Sequence, residues 1–347
     1  MILKKIEASA NFVQEEGKDS LRRLDHVFRT ILFLSGLTIL MGAVSWMFLP
    51  KDNTPESGIE DVLTSAYLAE PQKSLDVVVL GDSVPKFCVM PTVLWHEQGI
   101  PAFVCASAGD SVPKILELAE NIFQRQSPKI LILETNLVFR WIQTGTEARL
   151  QAERIFPVLR YHDNWKFVRP WQMLRPISYT WRAWEKGYYL CKLIEPAEER
   201  DYMRPSDSVE PIAKKNADYV RALQTLCLEH NCQLILCSMP SATNMDYARH
   251  NALAQLGKAL GVPYLDMNMD DGELNLDWRV DTADGGDHLN YWGAKKVTGA
   301  LGKMLVNTGL LTDHRGEEAY AEWDVCYENL QAVVHSMRGN VEDMPED

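Results

Sequence analysis

The sequence predicts an α/β protein whose central sheet is parallel and covered by helices on both faces. Two observations carry this prediction: short, almost continuously apolar segments alternate with longer helical segments, and the apolar segments are rich in β-branched residues. Strands that are buried on both faces have this composition, and parallel strands need helical crossovers. The predicted strands are residues 75–80, 102–106, 129–134, 233–239 and 263–267, and the predicted helices are residues 91–98, 112–126, 212–230, 246–260 and 291–305.

An uncharged run at residues 30–49 precedes this pattern and has the length that a helix needs to cross a hydrocarbon core. Arg22, Arg23 and Arg29 lie before the run and acidic residues follow Lys51, which places the N-terminus in the cytoplasm and the rest outside. A cleavable signal peptide is the alternative, but no Ala-x-Ala-like site follows the run. We therefore expect a single-pass protein of the cell membrane.

The predicted organisation has five parts, and composition limits what they bind. They are a cytoplasmic segment 1–29, a transmembrane anchor 30–50, a linker 51–73, an α/β domain 74–325 with an insertion at 137–208, and an acidic, frayed tail 326–347. A net charge of -13 disfavours nucleic acid as a partner. No zinc-spaced Cys/His set or phosphate-cradling loop occurs, so we expect neither a metal nor a nucleotide cofactor. The seven irregularly spaced cysteines predict no disulfide framework.

The candidate catalytic residues are Ser83, His288 and a nearby aspartate. The first predicted strand runs into Gly81-Asp82-Ser83, and a serine at a sharp turn after a buried strand exposes its hydroxyl. A weak nucleophile needs a base, and the base needs a carboxylate that fixes its tautomer. His288 lies in a late Asp-Gly-Gly-Asp-His run that begins at Asp284.

Asp284 is the predicted third member of this acyl-transfer triad. Asp287 is the immediate neighbour of His288, and neighbouring side chains on an extended chain point to opposite sides. The two glycines after Asp284 permit a tight bend that brings its carboxylate back to the imidazole.

The hexapeptide Gly-Asp-Ser-Val-Pro-Lys occurs twice, at residues 81–86 and 109–114. On this motif alone, either Ser83 or Ser111 is a candidate nucleophile. The first copy follows the most apolar, β-branched strand, which favours Ser83. The flanking sequences do not match, so the duplication does not indicate an internal repeat.

The early Gly-Asp-Ser block and the late Asp-to-His block resemble those of the SGNH/GDSL hydrolase family. The resemblance implies a three-layer SGNH-type (flavodoxin-like) fold and an oxyanion hole formed by the backbone of Gly109 and the side chain of Asn136. Two departures stand out: Glu134-Thr135-Asn136-Leu137 replaces Gly-x-Asn-Asp, and the Asp284–His288 spacing is one residue longer than Asp-x-x-His. In the alternative interpretation, Asn136 only caps a strand or turn.

Local strings at residues 161–165, 287–293 and 313–316 look like a membrane-anchored subgroup akin to the D-alanyl transfer protein of teichoic acid synthesis and alginate O-acetylation proteins. This resemblance implies an extracytoplasmic serine acyl-esterase or O-acyltransferase that acts on an acylated small molecule or cell-surface polymer beside a membrane-bound O-acyltransferase. A catalytically inactive scaffold with the same fold is the alternative.

The insertion at residues 137–208 is predicted to be helical and is rich in arginine and aromatic residues. It follows the third predicted strand and so emerges beside the candidate site. Two interpretations stay open: a pocket cover that binds a sugar or polyol phosphate, or a small helical subdomain that packs its own core.

Overall fold

A computed structural model describes residues 2–167, 169, 171–198, 201–269 and 274–338. Five parallel strands form the sheet: β1 (Val77–Gly81), β2 (Ala102–Ala106), β3 (Ile130–Glu134), β4 (Gln233–Ser238) and β5 (Tyr264–Asp266). Their spatial order is β2-β1-β3-β4-β5, with Val77 opposite both Ala102 and Ile130. This order is that of flavodoxin-like doubly wound folds. The predicted fold class is confirmed.

The helices are α1 (Ile2–Phe48), α2 (Val62–Ser65), α3 (Val84–Cys88), α4 (Pro91–Gln98), α5 (Val112–Phe123), α6 (Thr146–Ile155), α7 (Val158–Tyr161), α8 (Lys214–Glu229), α9 (Tyr247–Leu260), α10 (Tyr291–Asn307) and α11 (Ala321–Arg338). The predicted strands and helices all exist, and their ends differ from the observed ones by at most three residues.

The core lies on both faces of the sheet, because successive side chains of a strand point to opposite faces. Val78 and Leu80 pack in one cluster with residues of α5, α8 and α9, such as Leu223. Val77 and Val79 pack in the other with residues of α4 and α10. All of β1 to β3 is buried, which explains why these strands read as continuous apolar runs.

The chain divides into two compact units. One comprises residues 1–51 and 148–177, and the other residues 52–147 and 178–347. The predicted insertion 137–208 is therefore not one subdomain, because its middle part groups with α1 and its two ends with the sheet. Its helical character is confined, among the described residues, to the stretch from 136 to 166.

Residues 52–73 pack into the sheet domain, whereas a linker was predicted there. Asn53 is fully buried, and its Oδ1 atom accepts hydrogen bonds from the backbone N–H groups of Thr180 and Trp181 at 3.1 and 3.0 Å. Two buried residues at 66 and 67 join the core beside α5. Because the segment is polar, its sequence indicated a linker and did not show that a side chain in it accepts hydrogen bonds from the backbone of another loop.

The predicted acidic tail starts too early. Residues 326–338 continue α11, where Leu330 is fully buried and Val334 nearly so, and α11 packs against α4. Trp95 of α4 donates its indole N–H to Asp324 at 2.9 Å. Residues 339–347 of the predicted tail lie outside the described residues.

Within the described residues, one helix is long and apolar enough to cross a membrane, at Leu21–Phe48 of α1. Its large apolar side chains are exposed, as expected for a surface that faces lipid. Membrane anchors and signal sequences share this length and composition, so sidedness remains a prediction from the arginine bias.

A buried ion pair provides a test of the packing in the sheet domain. Lys186 is fully buried, its Nζ atom lies 2.7 Å from Glu70 Oε1, and it lies 4.8 Å above the ring of Trp323. Burial raises the pKa of Glu70, and the Lys186 ammonium opposes this rise. Replacing Lys186 by alanine leaves the Glu70 carboxylate buried without its partner. We therefore expect the free energy of unfolding to fall by about 3–5 kcal/mol.

Chemical denaturation of the detergent-solubilised chain measures this change. The matched control is Lys303→Ala on α10, where the side chain is exposed, and its expected effect is within about 0.5 kcal/mol. Equal effects of the two substitutions would contradict the assigned role of the pair.

Candidate active site

The candidate residues lie where the parallel strands end, the edge at which open α/β sheets bind ligands. Ser83 follows β1 and is the N-cap residue of α3. Asn136 follows β3, and the loop that carries Gly109 follows β2. His288 comes from the loop that leads into α10.

Ser83, His288 and Asp284 form a continuous hydrogen-bonded relay. The Ser83 hydroxyl lies 2.8 Å from His288 Nε2, and His288 Nδ1 lies 2.6 Å from Asp284 Oδ2. With a proton on Nδ1, Nε2 is left as the acceptor for the serine proton. These are the contacts that the activation of a serine nucleophile requires.

The bend between Asp284 and His288 depends on its two glycines. Gly285 and Gly286 have φ angles of 73° and 98°, a region that other residues rarely adopt. The bend also lets Asp284 Oδ1 accept the backbone N–H of His288 at 2.7 Å. Asp284 therefore holds both the main chain and the ring of the histidine.

Asp287 lies close to His288 but makes a different contact. Its Oδ2 atom is 3.6 Å from His288 Nδ1, and its Oδ1 atom accepts a hydrogen bond from Asn244. Ligand atoms of Asp284, Asp287 and His288 lie within 4.8 Å of one another, a spacing that could also hold a cation. In this structure, however, Asp284 and His288 form a hydrogen bond with each other.

Two residues that the sequence reasoning missed shape the histidine loop. Asn290 is fully buried, caps α10 and donates from Nδ2 to the carbonyl of Val280 at 2.6 Å. Thr282 Oγ1 accepts the N–H of Gly286 at 2.8 Å and donates to the carbonyl of His288 at 3.1 Å. An asparagine directly before a predicted helix was the available signal for the first, whereas nothing in the sequence marks the second.

The two Gly-Asp-Ser-Val-Pro-Lys copies occupy different positions. Ser83 contacts the histidine, whereas Ser111 is the N-cap residue of α5, and the neighbouring Asp110 pairs with Lys114 at 2.9 Å. Lys86 of the first copy pairs with Asp61. The structure therefore brings the first copy, and not the second, to His288.

Asp61 connects helix α3, which follows the nucleophile, to the loop that carries Gly109. Its carboxylate accepts hydrogen bonds from Lys86 and, at 2.8 Å, from Ser107 Oγ at the start of the loop that carries Gly109. Burial alone would raise the pKa of Asp61, but the contacts with Lys86, the N–H of Thr64 and Ser107 together outweigh it and lower the pKa. The loop is thereby tied to the helix that follows Ser83.

The candidate oxyanion donors are placed as follows. Gly109 is exposed and has a φ of 75°, and among the described residues neither its N–H nor that of Ser83 has a hydrogen-bond acceptor. Asn136 donates from Nδ2 to Asp82 Oδ2 at 3.0 Å, and its Oδ1 accepts from Arg249 at 3.3 Å. One Nδ2 hydrogen of Asn136 is left, so its oxyanion role stays a prediction.

A fully buried carboxylate supports the turn that carries the nucleophile. Asp82 accepts hydrogen bonds from the N–H of Val84 at 3.0 Å, from Asn136 and from Arg140 Nη2 at 2.7 Å. These bonds join the end of β1 to the segment after β3. Sequence reasoning did not identify Arg140 as a partner of Asp82.

Glu134 is a buried acid at the end of β3. Its Oε1 atom accepts the N–H of Asn136 at 2.9 Å, whereas its Oε2 atom has no hydrogen-bond partner among the described residues. Burial raises the pKa of Glu134 well above its ordinary value, and the Asp82 carboxylate adds to the rise. The folded protein therefore holds this group as the neutral acid at a pH where the unfolded chain has lost the proton.

The raised pKa of Glu134 predicts that the free energy of unfolding depends on pH. Because the folded pKa is raised, the stabilisation is complete below the unfolded pKa and is lost as the pH rises toward the folded value, by about 1.4 kcal/mol per pH unit. Glu134→Gln keeps the acceptor oxygen and cannot ionise, so its unfolding free energy should fall less steeply with pH. Denaturation curves at several pH values measure the two slopes, and parallel slopes would contradict the assignment.

Aromatic rings and a cavity border this edge of the sheet. The Phe87 ring lies 4.5 Å from the His288 ring and 5.0 Å from that of Tyr189, measured between centroids. Residue 195 accepts the N–H of Gly285 at 2.9 Å, so the segment after Tyr189 runs along the histidine loop. A cavity of about 200 Å³ lies further along it, lined by Tyr202, Trp278 and others.

The solved structures that resemble this chain do so at low sequence identity. No family model and no curated protein matches the chain. A GDSL-like lipase from Bacteroides thetaiotaomicron is 12% identical over 67% of this chain and 88% of its own, with a TM-score of 0.35. A lipase/acylhydrolase from Enterococcus faecalis is 11% identical over 68% of this chain and 96% of its own, with a TM-score of 0.30. Because these scores are low, any argument about activity rests on the geometry of the site.

Proposed function

We propose that this chain is a serine acyl-esterase or O-acyltransferase that uses Ser83 as nucleophile, His288 as base and Asp284 as the carboxylate that orients His288. One observation carries the proposal: the unbroken relay of 2.8 and 2.6 Å from the serine hydroxyl through the imidazole to Asp284. A scaffold without catalysis would not need this relay, and no contact of His288 with the described residues favours that alternative.

The reaction proceeds in two balanced halves. Ser83 Oγ adds to the acyl carbonyl while its proton passes to His288 Nε2, and the amides of Ser83 and Gly109, with Asn136, stabilise the oxyanion. Collapse of the tetrahedral intermediate breaks the bond between the acyl carbon and the alcohol oxygen, and His288 returns the proton to the leaving alkoxide. Water or an acceptor hydroxyl then attacks the acyl-serine carbonyl and loses its proton to His288. The bond from the acyl carbon to Ser83 Oγ breaks, His288 returns the proton to Oγ, and the acid or the new ester is released.

The finer proposal concerns place and substrate. The uncharged run at residues 30–49 of α1, with Arg22, Arg23 and Arg29 before it, supports a single-pass anchor with the catalytic domain outside the cell. The resemblance to membrane-anchored acylation proteins supports O-acylation of a cell-surface polymer with a membrane-bound O-acyltransferase as partner. An acyl-serine serves transfer as well as hydrolysis, and the acceptor decides between them.

The ester content of surface polymers tests the substrate proposal. Cells that carry wild type, Ser83→Ala or the matched control Ser111→Ala would be compared by release of acyl groups under mild base. Transfer predicts loss of esters in Ser83→Ala only, whereas trimming by an esterase predicts a gain. If neither change occurs, the polymer is not the substrate, although turnover of a small acyl ester would still test the triad.

A further inference from the structure

The unit formed by residues 1–51 and 148–177 has a set of exposed large apolar side chains that the catalytic proposal does not use. Its members are Leu159, Trp165, Phe167, Trp171 and Leu174, called here the aromatic platform. Trp165, Trp171 and Leu174 are 62%, 67% and 78% exposed. Single exposed apolar side chains are ordinary, but five large ones fall within 16 positions of the chain here, and such a density indicates a partner.

The platform is attached directly to the end of the apolar helix. Ser45 and Asn164 are both buried. Ser45 Oγ accepts the N–H of Val158 at 3.3 Å, and Asn164 donates from Nδ2 to the carbonyl of Phe48 at 2.9 Å. These two hydrogen bonds attach the part of the chain that carries the platform to the last turn of α1, at residues 158 and 164. If α1 spans a membrane, this turn lies where hydrocarbon gives way to headgroups, and the platform lies there too.

The same unit contains three tryptophan–cation pairs. Lys51 lies 4.0 Å from the ring centroid of Trp46, Lys166 lies 5.9 Å from that of Trp165, and Arg169 lies 5.6 Å from that of Trp171. The amphipathic indole ring favours the membrane–water interface, and a cation beside it can reach a lipid phosphate. The first pair is at the end of α1, and the other two repeat its chemistry on the platform.

The charge of this segment indicates the lipid class. Residues 148–177 contain six basic and two acidic side chains, whereas the whole chain has a net charge of -13. A basic segment within an acidic protein is attracted to anionic headgroups, while the remainder is not. Charge, aromatic composition and attachment to α1 therefore point to the same partner.

We propose that residues 158–167, 169 and 171–174 contribute to a membrane-interface segment, in which the aromatic platform inserts at headgroup depth into anionic lipid beside the end of α1. The proposal rests on the anchoring role of α1 but not on catalysis. The platform thus gives the chain a second attachment to the bilayer, which restrains rotation about the single helix.

Depth-dependent quenching of a fluorescent label tests the proposal on the full chain in phosphatidylglycerol-containing vesicles. Single cysteines would be introduced by Trp171→Cys or Leu174→Cys on the platform, by Ile39→Cys on α1 and by Leu228→Cys on α8, where Leu228 is 67% exposed. All seven native cysteines are buried, so the unsubstituted chain serves as the labelling blank. The label is an environment-sensitive NBD group, and nitroxide lipids act as shallow or deep quenchers.

We expect the shallow quencher to reduce emission at positions 171 and 174 at least about threefold more than at position 228, and the deep quencher to act most strongly at position 39. The difference should shrink in purely zwitterionic vesicles and persist in a Ser83→Ala background.

Quenching at position 39 with none at positions 171 and 174 would overturn the interface proposal alone. Absence of quenching at 39 would overturn the anchor and, with it, this inference. Shielding at 171 and 174 in native membranes but not in vesicles would assign the platform to a protein partner and so also overturn the proposal.

Discussion

Replacing Ser83 by alanine is expected to lower turnover of an acyl ester by roughly a million-fold, as removal of the nucleophile does in a serine protease. The cause is the loss of the hydroxyl that contacts the imidazole of His288 at 2.8 Å. The measurement is kcat for a chromogenic acyl ester with the detergent-solubilised chain.

Ser111→Ala is the matched control, because Ser111 stands in the same hexapeptide and makes no side-chain cap bond to its helix. Its turnover should stay within a factor of about three of wild type, since it removes no contact of the relay. A larger loss of turnover in Ser111→Ala than in Ser83→Ala would identify Ser111, in the second copy of the motif, as the nucleophile.

Replacing Asp284 by asparagine is expected to lower turnover by about 10⁴-fold, the effect of the equivalent change in a serine protease. An amide at this position can donate to Nδ1, which favours the tautomer with the proton on Nε2 and removes the acceptor for the serine proton. Binding of the substrate should change little, so KM would stay near the wild-type value while kcat falls.

Asp287→Asn distinguishes the two carboxylates. Asp287 is 3.6 Å from Nδ1 and already accepts a bond from Asn244, so its replacement should cost less than about tenfold in kcat. A larger loss for Asp287→Asn than for Asp284→Asn would contradict the assignment of the triad carboxylate.

The sheet could be predicted from the sequence because its strands are buried on both faces, which leaves a local pattern of apolar residues. The Asp284–His288 contact could be anticipated for a similar reason: two adjacent glycines permit the bend, and their φ angles of 73° and 98° show that it is used. In both cases the deciding information lies within a few neighbouring residues.

Other features depend on contacts between distant parts of the chain and were missed. Asn53 binds a loop 128 positions away, and Arg140 pairs with Asp82 across two strand ends. The grouping of residues 148–177 with α1 follows from contacts such as Asn164 with Phe48, which no local pattern records. Asn136 shows the same limit, since its position after β3 was predictable but its bond to Asp82 was not.

The most direct test of the central claim is to identify the residue that becomes covalently modified. The full chain would be treated with a fluorophosphonate probe, digested and mapped by peptide mass spectrometry. The relay of 2.8 and 2.6 Å predicts a single adduct on Ser83 that is lost in Ser83→Ala and forms far more slowly in Asp284→Asn. An adduct on Ser111, or the absence of any adduct on a folded chain that hydrolyses acyl esters, would contradict it.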